Sequence, residues 1–207
     1  MVSASKKITI VGGSGALGAG LAKRWARKGH QIIIGSRDEK RASEAASRLN
    51  NEAGTKSIVG MENKEASENG EIVVLTVPFS NHMSTLSLIA PALDNKILID
   101  VTVPLVPPKV RTVHIPEGGS CAKAAQEFLG KAVRVVSAFQ SVAATHLDDL
   151  EHEIDCDVLV CGNDPEAREV VVELASDADM KAWHAGVIAN SIVAEAMTSS
   201  LIFMNNR

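Results

Sequence analysis

Lys7-Ile-Thr-Ile-Val-Gly-Gly-Ser-Gly-Ala-Leu-Gly18 is the stretch whose reading decides the fold. Lys7 to Val11 is a β-branched run of the kind that forms a buried strand. From Gly15 to Lys28, Leu17, Leu21, Ala22 and Trp25 recur at helical spacing, and Gly29 supplies the stop. Between strand and helix stand Gly13, Gly15 and Gly18 in G-x-G-x-x-G spacing. A dinucleotide requires this arrangement. The chain must turn sharply, bring backbone N–H groups up to a pyrophosphate with no Cβ in the way, and then pack a helix closely on its strand. The helix start adds positive potential. Gly13, Ser14, Gly15, Ala16, Leu17 and Gly18 are therefore assigned to the pyrophosphate turn. Glycine-rich turns occur in unrelated loops, and it is the strand before and the helix after that make this one specific.

The next strand, Gln31 to Ile34, indicates which dinucleotide binds. An NAD site normally ends this strand in an acidic residue that accepts hydrogen bonds from the ribose hydroxyls; here Gly35-Ser36-Arg37 follows. No carboxylate stands where it would repel a phosphate. Arg37 offers a planar donor fork and Ser36 a hydroxyl, while Lys40 and Arg41 open the following helix, so a 2′-phosphate, and hence NADP, is expected. The bland alternative is a solvated helix start in which Arg37 and Arg41 pair with Asp38 or Glu44.

Alternation of strands and helices continues outward. A helix is expected over Asp38–Asn51, a short strand over Ser57–Val59, a short helix over Asn63–Glu68, and a strand over Glu71–Leu75 ending in Thr76-Val-Pro78. A helix over about Ser80–Leu93, distorted at Pro91, leads to a strand over Lys96–Asp100. Pro104, Pro107, Pro108 and Pro116 make residues 101–119 a loop, either a lid or a plain connector. Beyond it come a helix over Ser120–Leu129, strands over Ala132–Phe139 and Asp157–Cys161, a helix over Pro165–Asp177, a strand over Met180–His184 and a largely apolar helix from Val187 to about Met204. The fold class is α/β: a Rossmann-type dinucleotide-binding parallel sheet with a small C-terminal α/β extension. The expected division is 1–139 for nucleotide binding and 140–207 for completing the substrate cleft. The last helix packs either on a partner subunit, as in a homodimer, or within its own chain.

Composition removes several function classes. Twenty-one Lys and Arg against 25 Asp and Glu give a net charge of −4, with no basic run suited to nucleic acid. The apolar stretch near the C-terminus, Val187 to Ala194, is far shorter than a bilayer crossing, and Met1 to Lys7 lacks the apolar middle of a signal peptide. Cys121, Cys156 and Cys161 match no disulfide or zinc framework, which suits a cytoplasmic protein. His146, His152, Asp155 and Cys156 gather metal-ligand residue types without a ligand spacing, so no metal is expected.

Together, Ile10–Gly18, Gly29–Arg37, Val74-Leu-Thr-Val-Pro78, Val160-Cys-Gly-Asn-Asp164 and Ala185-Gly186 resemble, in order and over nearly the whole chain, the coenzyme F420-dependent NADP reductases. The same module is similar to the reductase domain of certain membrane metalloreductases. The resemblance implies an oxidoreductase that dimerises and passes hydride between NADP(H) and the deazaflavin coenzyme F420. By position it places Ser14 to Leu17 on the pyrophosphate, Ser36, Arg37 and Arg41 on the 2′-phosphate, and Thr76, Val77, Pro78 and Phe79 along the nicotinamide ribose and ring. The segment Ser137–Ala144 matches the meeting place of nicotinamide and deazaflavin, with Ala144 on the nucleotide side and Gln140 and Val142 on the deazaflavin side. Gln140 and Ala143 stand where the family pattern has histidine and proline.

Hydride transfer between stacked rings needs proximity rather than an acid–base dyad, so no catalytic side chain is assigned. Gln140 is the candidate for hydrogen bonding the deazaflavin, or else it satisfies backbone at a strand end. Asp100 is read as capping the turn after its strand. Cys161 is read as a core residue. Ser191 and Glu195, on one face of the last helix, are read either as polar side chains facing solvent or as an intersubunit or cofactor contact. Two other functions compete: an NADPH-dependent reductase of a flavin or of a small carbonyl or imine substrate, and a non-catalytic NADP sensor.

Overall fold

The computed structural model describes residues 4–205. Met1 to Ser3, within the stretch read for a signal peptide, and Asn206 and Arg207 lie outside the described residues. Eight strands form one sheet: β1 (Lys7–Val11), β2 (Gln31–Ser36), β3 (Ile58–Glu62), β4 (Ile72–Leu75), β5 (Ile97–Asp100), β6 (Arg134–Ser137), β7 (Asp157–Gly162) and β8 (Lys181–His184). Their spatial order is β3-β2-β1-β4-β5-β6-β7-β8. Every pairing is parallel except β6 with β7. The helices are α1 (Ala16–Arg27), α2 (Glu39–Ala53), α3 (Asn63–Asn69), α4 (His82–Ile89), α5 (Cys121–Leu129), α6 (Ala144–Asp148), α7 (Pro165–Asp177) and α8 (Ser191–Asn205).

Strand periodicity sorts the core into two layers. Ile8, Ile10, Ile72, Val74, Ile97, Ile99 and Val136 face α1, α2 and α7. Val11, Val73, Leu75, Leu98 and Val135 face α4 and α5. Consecutive residues thus point to opposite, equally buried sides, as a sheet covered on both faces requires.

Boundaries moved where a particular residue forces them. Asp38 caps α2 by accepting the Arg41 N–H, and Gly54 ends it in the left-handed region at φ 66°. The third strand runs on to Glu62 because a residue without a side chain, Gly60, meets the Ala42 backbone of α2. Pro91 stops α4 at Ile89, and the chain passes into a single 3₁₀ turn, Ala90–Ala92. β6 ends at Ser137, and two residues on Phe139 adopts φ 71°, which no strand accommodates.

The last helix overturns a reading. Ser191, Ala194, Glu195, Thr198 and Ser199 are its buried residues, while Val193, Met197, Phe203 and Met204 face outward. Ser191 and Glu195 therefore do not face solvent. Ser191 Oγ donates to Ser120 Oγ at 2.7 Å, and Glu195 accepts the Cys121 and Ala122 N–H groups at 2.7 and 3.1 Å. The carboxylate holds the amino end of α5, which otherwise would bury unpaired donors.

α1 is bound to the C-terminal part along its length. Gly20 lets Leu147 of α6 lie against it, and Trp25 Nε1 donates to Leu174 O of α7 at 2.7 Å. The Cys121, Cys156 and Cys161 thiols are free. Cys161 is 1% exposed, a core residue, and burial pushes its thiol up to about 11. Among the described residues no helix is long and apolar enough to cross a membrane.

Candidate functional site

The carboxyl ends of β1, β2, β4 and β5 open into a cleft of about 980 Å³, the edge where open α/β sheets bind ligands. Its floor is the glycine turn. Gly12 adopts φ 78°, unfavourable for a side chain, and a Cβ there would meet Thr76 O at 3.0 Å. A Cβ on Gly18 would come within 2.8 Å of Gly13 Cα and Thr76 Oγ1, so this glycine sets how closely α1 packs on β1 and β4. No side chain caps α1. Its leading N–H groups, facing a cleft, are left for an anion.

Ser14, Gly15, Ala16, Leu17 and Gly18 line this cleft together with Ser36, Arg37 and Arg41 at one end and Thr76, Val77, Pro78 and Phe79 at the other. Ser36 is half-buried, and Arg37 and Arg41 are exposed at the rim. Asp38 spends its carboxylate on the Arg41 backbone, and neither guanidinium has a carboxylate partner among the described residues. Thr76 Oγ1 donates to Val11 O at 2.9 Å, which fixes the turn after β4 to the end of β1.

Other residues read from the sequence lie apart from the cleft. Gly13 faces Ile10 and Ile34 in the sheet, and Lys40 is exposed on α2 away from the cleft lining. Gln140 is buried behind β5; its Nε2 donates to Asp100 O (2.9 Å) and Ser137 Oγ (3.0 Å), and its Oε1 has no partner. Val142 is buried and Ala144 begins α6. The His146 and His152 rings lie tilted at 47° with centroids 4.6 Å apart, and two of the acids between them turn to cations on α1, Asp148 to Lys23 and Glu151 to Arg27.

Several lining residues lie outside the site assigned from the sequence, although the loop over 101–119 is there read as a lid or a plain connector. Asn63, Asn81, Thr85 and the run Val101, Thr102, Val103, Leu105, Val106, Pro107 and Val110 form much of the wall. Asn63 Oδ1 is buried against Gly35 with no partner. The first half of the proline-rich loop is thus a wall of the cleft, and Phe79 meets His114 of its second half with ring centroids 5.8 Å apart. The available signal was positional: Val101-Thr102-Val103 leaves β5 as Thr76-Val77-Pro78 leaves β4.

Two groups behind the cleft titrate abnormally. Burial pushes the Glu195 carboxyl up to about 7, against the N–H groups of Cys121 and Ala122 that favour its charge. Burial alone would lower His82, but the hydrogen bond and charge of Asp100 outweigh it and the net shift is upward. Both groups hold a proton more tightly folded than unfolded. Their stabilisation is complete below the ordinary values of 4.5 and 6.5, and is lost as pH rises through the shifted ones. The unfolding free energy from urea titration is accordingly expected to fall from about pH 5 to about pH 7, the window set by Glu195, and Glu195→Gln to flatten the slope. A flat or rising wild-type profile contradicts the assignment. The Asp148 carboxyl, lowered by Lys23, acts below this window.

A parallel sheet, a side-chain-free turn under an uncapped helix and two unpaired guanidinium groups at the end of the second strand define a Rossmann-type dinucleotide-binding protein. Comparison narrows the class. The family described as NADP oxidoreductase, coenzyme F420-dependent, matches residues 7–104. The F420-dependent NADP reductase of Methanocaldococcus jannaschii is 41% identical over 207 residues, covering 96% of this chain and 92% of that protein. The enzyme of the same name from Methanothermobacter thermautotrophicus is 38% identical, covering 97% and 90%. The chain belongs to the F420-dependent NADP reductase family. A crystal structure of a candidate F420-dependent NADP reductase from Arthrobacter sp. FB24 superposes with a TM-score of 0.80 at 24% identity, covering 98% of this chain and 94% of that one, and shares the fold.

Proposed function

We propose that this protein transfers hydride between NADP(H) and coenzyme F420. The observation that carries the nucleotide half is the pairing of the glycine cradle with the unpartnered Arg37 and Arg41 at the rim. Family membership carries the deazaflavin half. The nicotinamide and deazaflavin rings supply the redox chemistry themselves.

The chain's own residues bind and orient. N–H groups of Ser14 to Leu17 hold the pyrophosphate, and Arg37 and Arg41, with the Ser36 hydroxyl, hold the 2′-phosphate. Thr76 to Phe79 lie along the nicotinamide half. The apolar wall from Val101 to Val110 excludes water from the ring that donates or receives hydride. No side chain moves a proton in this scheme, and the rate derives from holding two rings face to face. Residues 1–139 carry the nucleotide and 140–207 complete the deazaflavin side, where Gln140 and Val142 remain our candidates. In this reading a second copy of the chain covers the outward apolar side chains of α8, and the free thiols suit the cytoplasm.

Stopped-flow mixing of the protein with NADPH and either oxidised F420 or a flavin tests the assignment. Rapid single-turnover oxidation of NADPH is expected with F420 and not with the flavin. Rapid oxidation with the flavin alone overturns the deazaflavin assignment and leaves the nucleotide site standing.

A further inference from the structure

The cleft carries a second pair of cations, in the loop after β5. Lys109 and Arg111 flank Val110; Val110 lines the cleft, and both cations are exposed. Consecutive Cα atoms are about 3.8 Å apart, less than the length of either side chain, so both head groups are within reach of the cleft mouth. Neither has a carboxylate partner among the described residues. The contrast is with α1, where Lys23, Arg24, Arg27 and Lys28 each face a carboxylate. Residues 101–119 hold these two cations and His114 against a single acid, Glu117, in a chain of net charge −4.

Several contacts hold this loop in place. The Lys109 N–H donates to Val106 O at 3.0 Å and the Thr112 N–H to Lys109 O at 3.0 Å, which makes two successive turns around the pair. Pro107 and Pro108 restrict the backbone just before them. His114 lies against Phe79 of the opposite wall. Two like charges are thus kept close together at the mouth of an apolar cleft.

The nucleotide does not use them. Its 2′-phosphate falls to Arg37 and Arg41 beyond β2, and its pyrophosphate to the turn after β1. Lys109 and Arg111 follow β5, two strands past β1 and about 10 Å away at ordinary strand spacing. The nicotinamide nucleoside that extends towards β5 has no negative group, and in NADP+ its ring is itself positive. An anion for this pair has to come with the second co-substrate. Coenzyme F420 carries one: its ring bears a flexible side chain with a phosphodiester and glutamyl carboxylates. With the ring stacked on the nicotinamide, that side chain leaves by the cleft mouth.

We propose that Lys109 and Arg111 form a subsite for the anionic side chain of the deazaflavin co-substrate. The proposal rests on the F420 reading above. The pair acts on affinity and not on the ring chemistry, because it holds the side chain equally before and during hydride transfer.

Calorimetric titration of the full chain tests this with three ligands: oxidised F420, the deazaflavin fragment that keeps the ring and ends in a neutral ribityl group, and NADPH. Lys109→Gln combined with Arg111→Gln is expected to weaken F420 about tenfold and to leave the fragment and NADPH unchanged. The F420 difference is expected to shrink between about 20 mM and about 500 mM salt, since exposed charges are screened. In turnover, KM for F420 rises by the same factor and kcat stays. Lys56→Gln combined with Lys131→Gln removes equal charge from exposed positions before β3 and β6, at the opposite edge of the sheet, and is expected to change nothing. Unchanged F420 affinity, equal weakening of the fragment, weakening of NADPH, or an equal effect of the Lys56 and Lys131 variant overturns the proposal. If the double variant does not fold, Lys109→Gln and Arg111→Gln decide singly. Wild-type protein that binds neither deazaflavin overturns the F420 reading and the subsite with it, whereas wild-type binding with unaltered variants sinks only the subsite.

Discussion

Arg37→Ala is expected to weaken NADPH binding about 100-fold and NADH binding less than about threefold. The guanidinium stands at the cleft rim, exposed, with no carboxylate partner among the described residues, since the nearby Asp38 is occupied in capping α2. No internal ion pair has to break before it meets a ligand. Charge-assisted bonds from a planar fork to a phosphate are worth roughly 2–3 kcal/mol, which sets the size of the loss. NADH has no 2′-phosphate and loses only a neighbouring positive charge. Steady-state KM values or direct titration for both nucleotides measure the split, at low salt because an exposed site is screened. Equal losses for the two nucleotides would remove the phosphate role, and with it the reason for preferring NADP.

The largest stability effect is expected at Arg24, which lies in α1 and is 2% exposed. Its Nε donates to Leu147 O, and its Nη2 donates to the carbonyls of His146, Asp149 and His152, the Asp149 bond at 2.7 Å. Nη1 reaches Ala178 O and Asp179 Oδ2. This one side chain organises the irregular segment around α6 and the turn before β8. Arg24→Leu leaves those carbonyls unpaired and is expected to cost about 3–5 kcal/mol, a Tm lower by roughly 10 °C. Arg24→Lys is expected to recover little, since a compact ammonium cannot reproduce the fork. Thermal and urea unfolding read both variants, and a loss under about 1 kcal/mol would show that the segment finds other donors.

The contrast between these two arginines shows what the sequence could and could not disclose. Arg37 was legible because its neighbours in the chain give its meaning: a strand ends, the usual acid is absent, and a helix begins. The glycine turn and the first five strands were legible for the same reason, since period-two burial and turn chemistry are local. Lys23 and Arg24 were not, because α1 reads as a helix with a polar side, and the carbonyls that bury Arg24 lie more than a hundred residues further on. α8 failed in the same way. Its apolar residues suggested packing on a partner subunit or within the chain, but not that its inward face would carry Ser191 and Glu195, which meet the Ser120 hydroxyl and backbone donors at the start of α5. The prolines of 101–119 disclose a loop, a lid or a plain connector, but which half of it walls the cleft depends on β5 lying beside β4, which no periodicity reports.

The single antiparallel pairing, β6 with β7, has an electrostatic outcome. Helices that follow β1 to β4 begin at the cleft edge, each directing the positive end of its dipole there. Beyond the reversal, β7 runs the opposite way, and α7 opens at the far edge of the sheet. The positive helix ends that line the cleft therefore all belong to helices following the first four strands, and the helix after the reversal turns its own away from them.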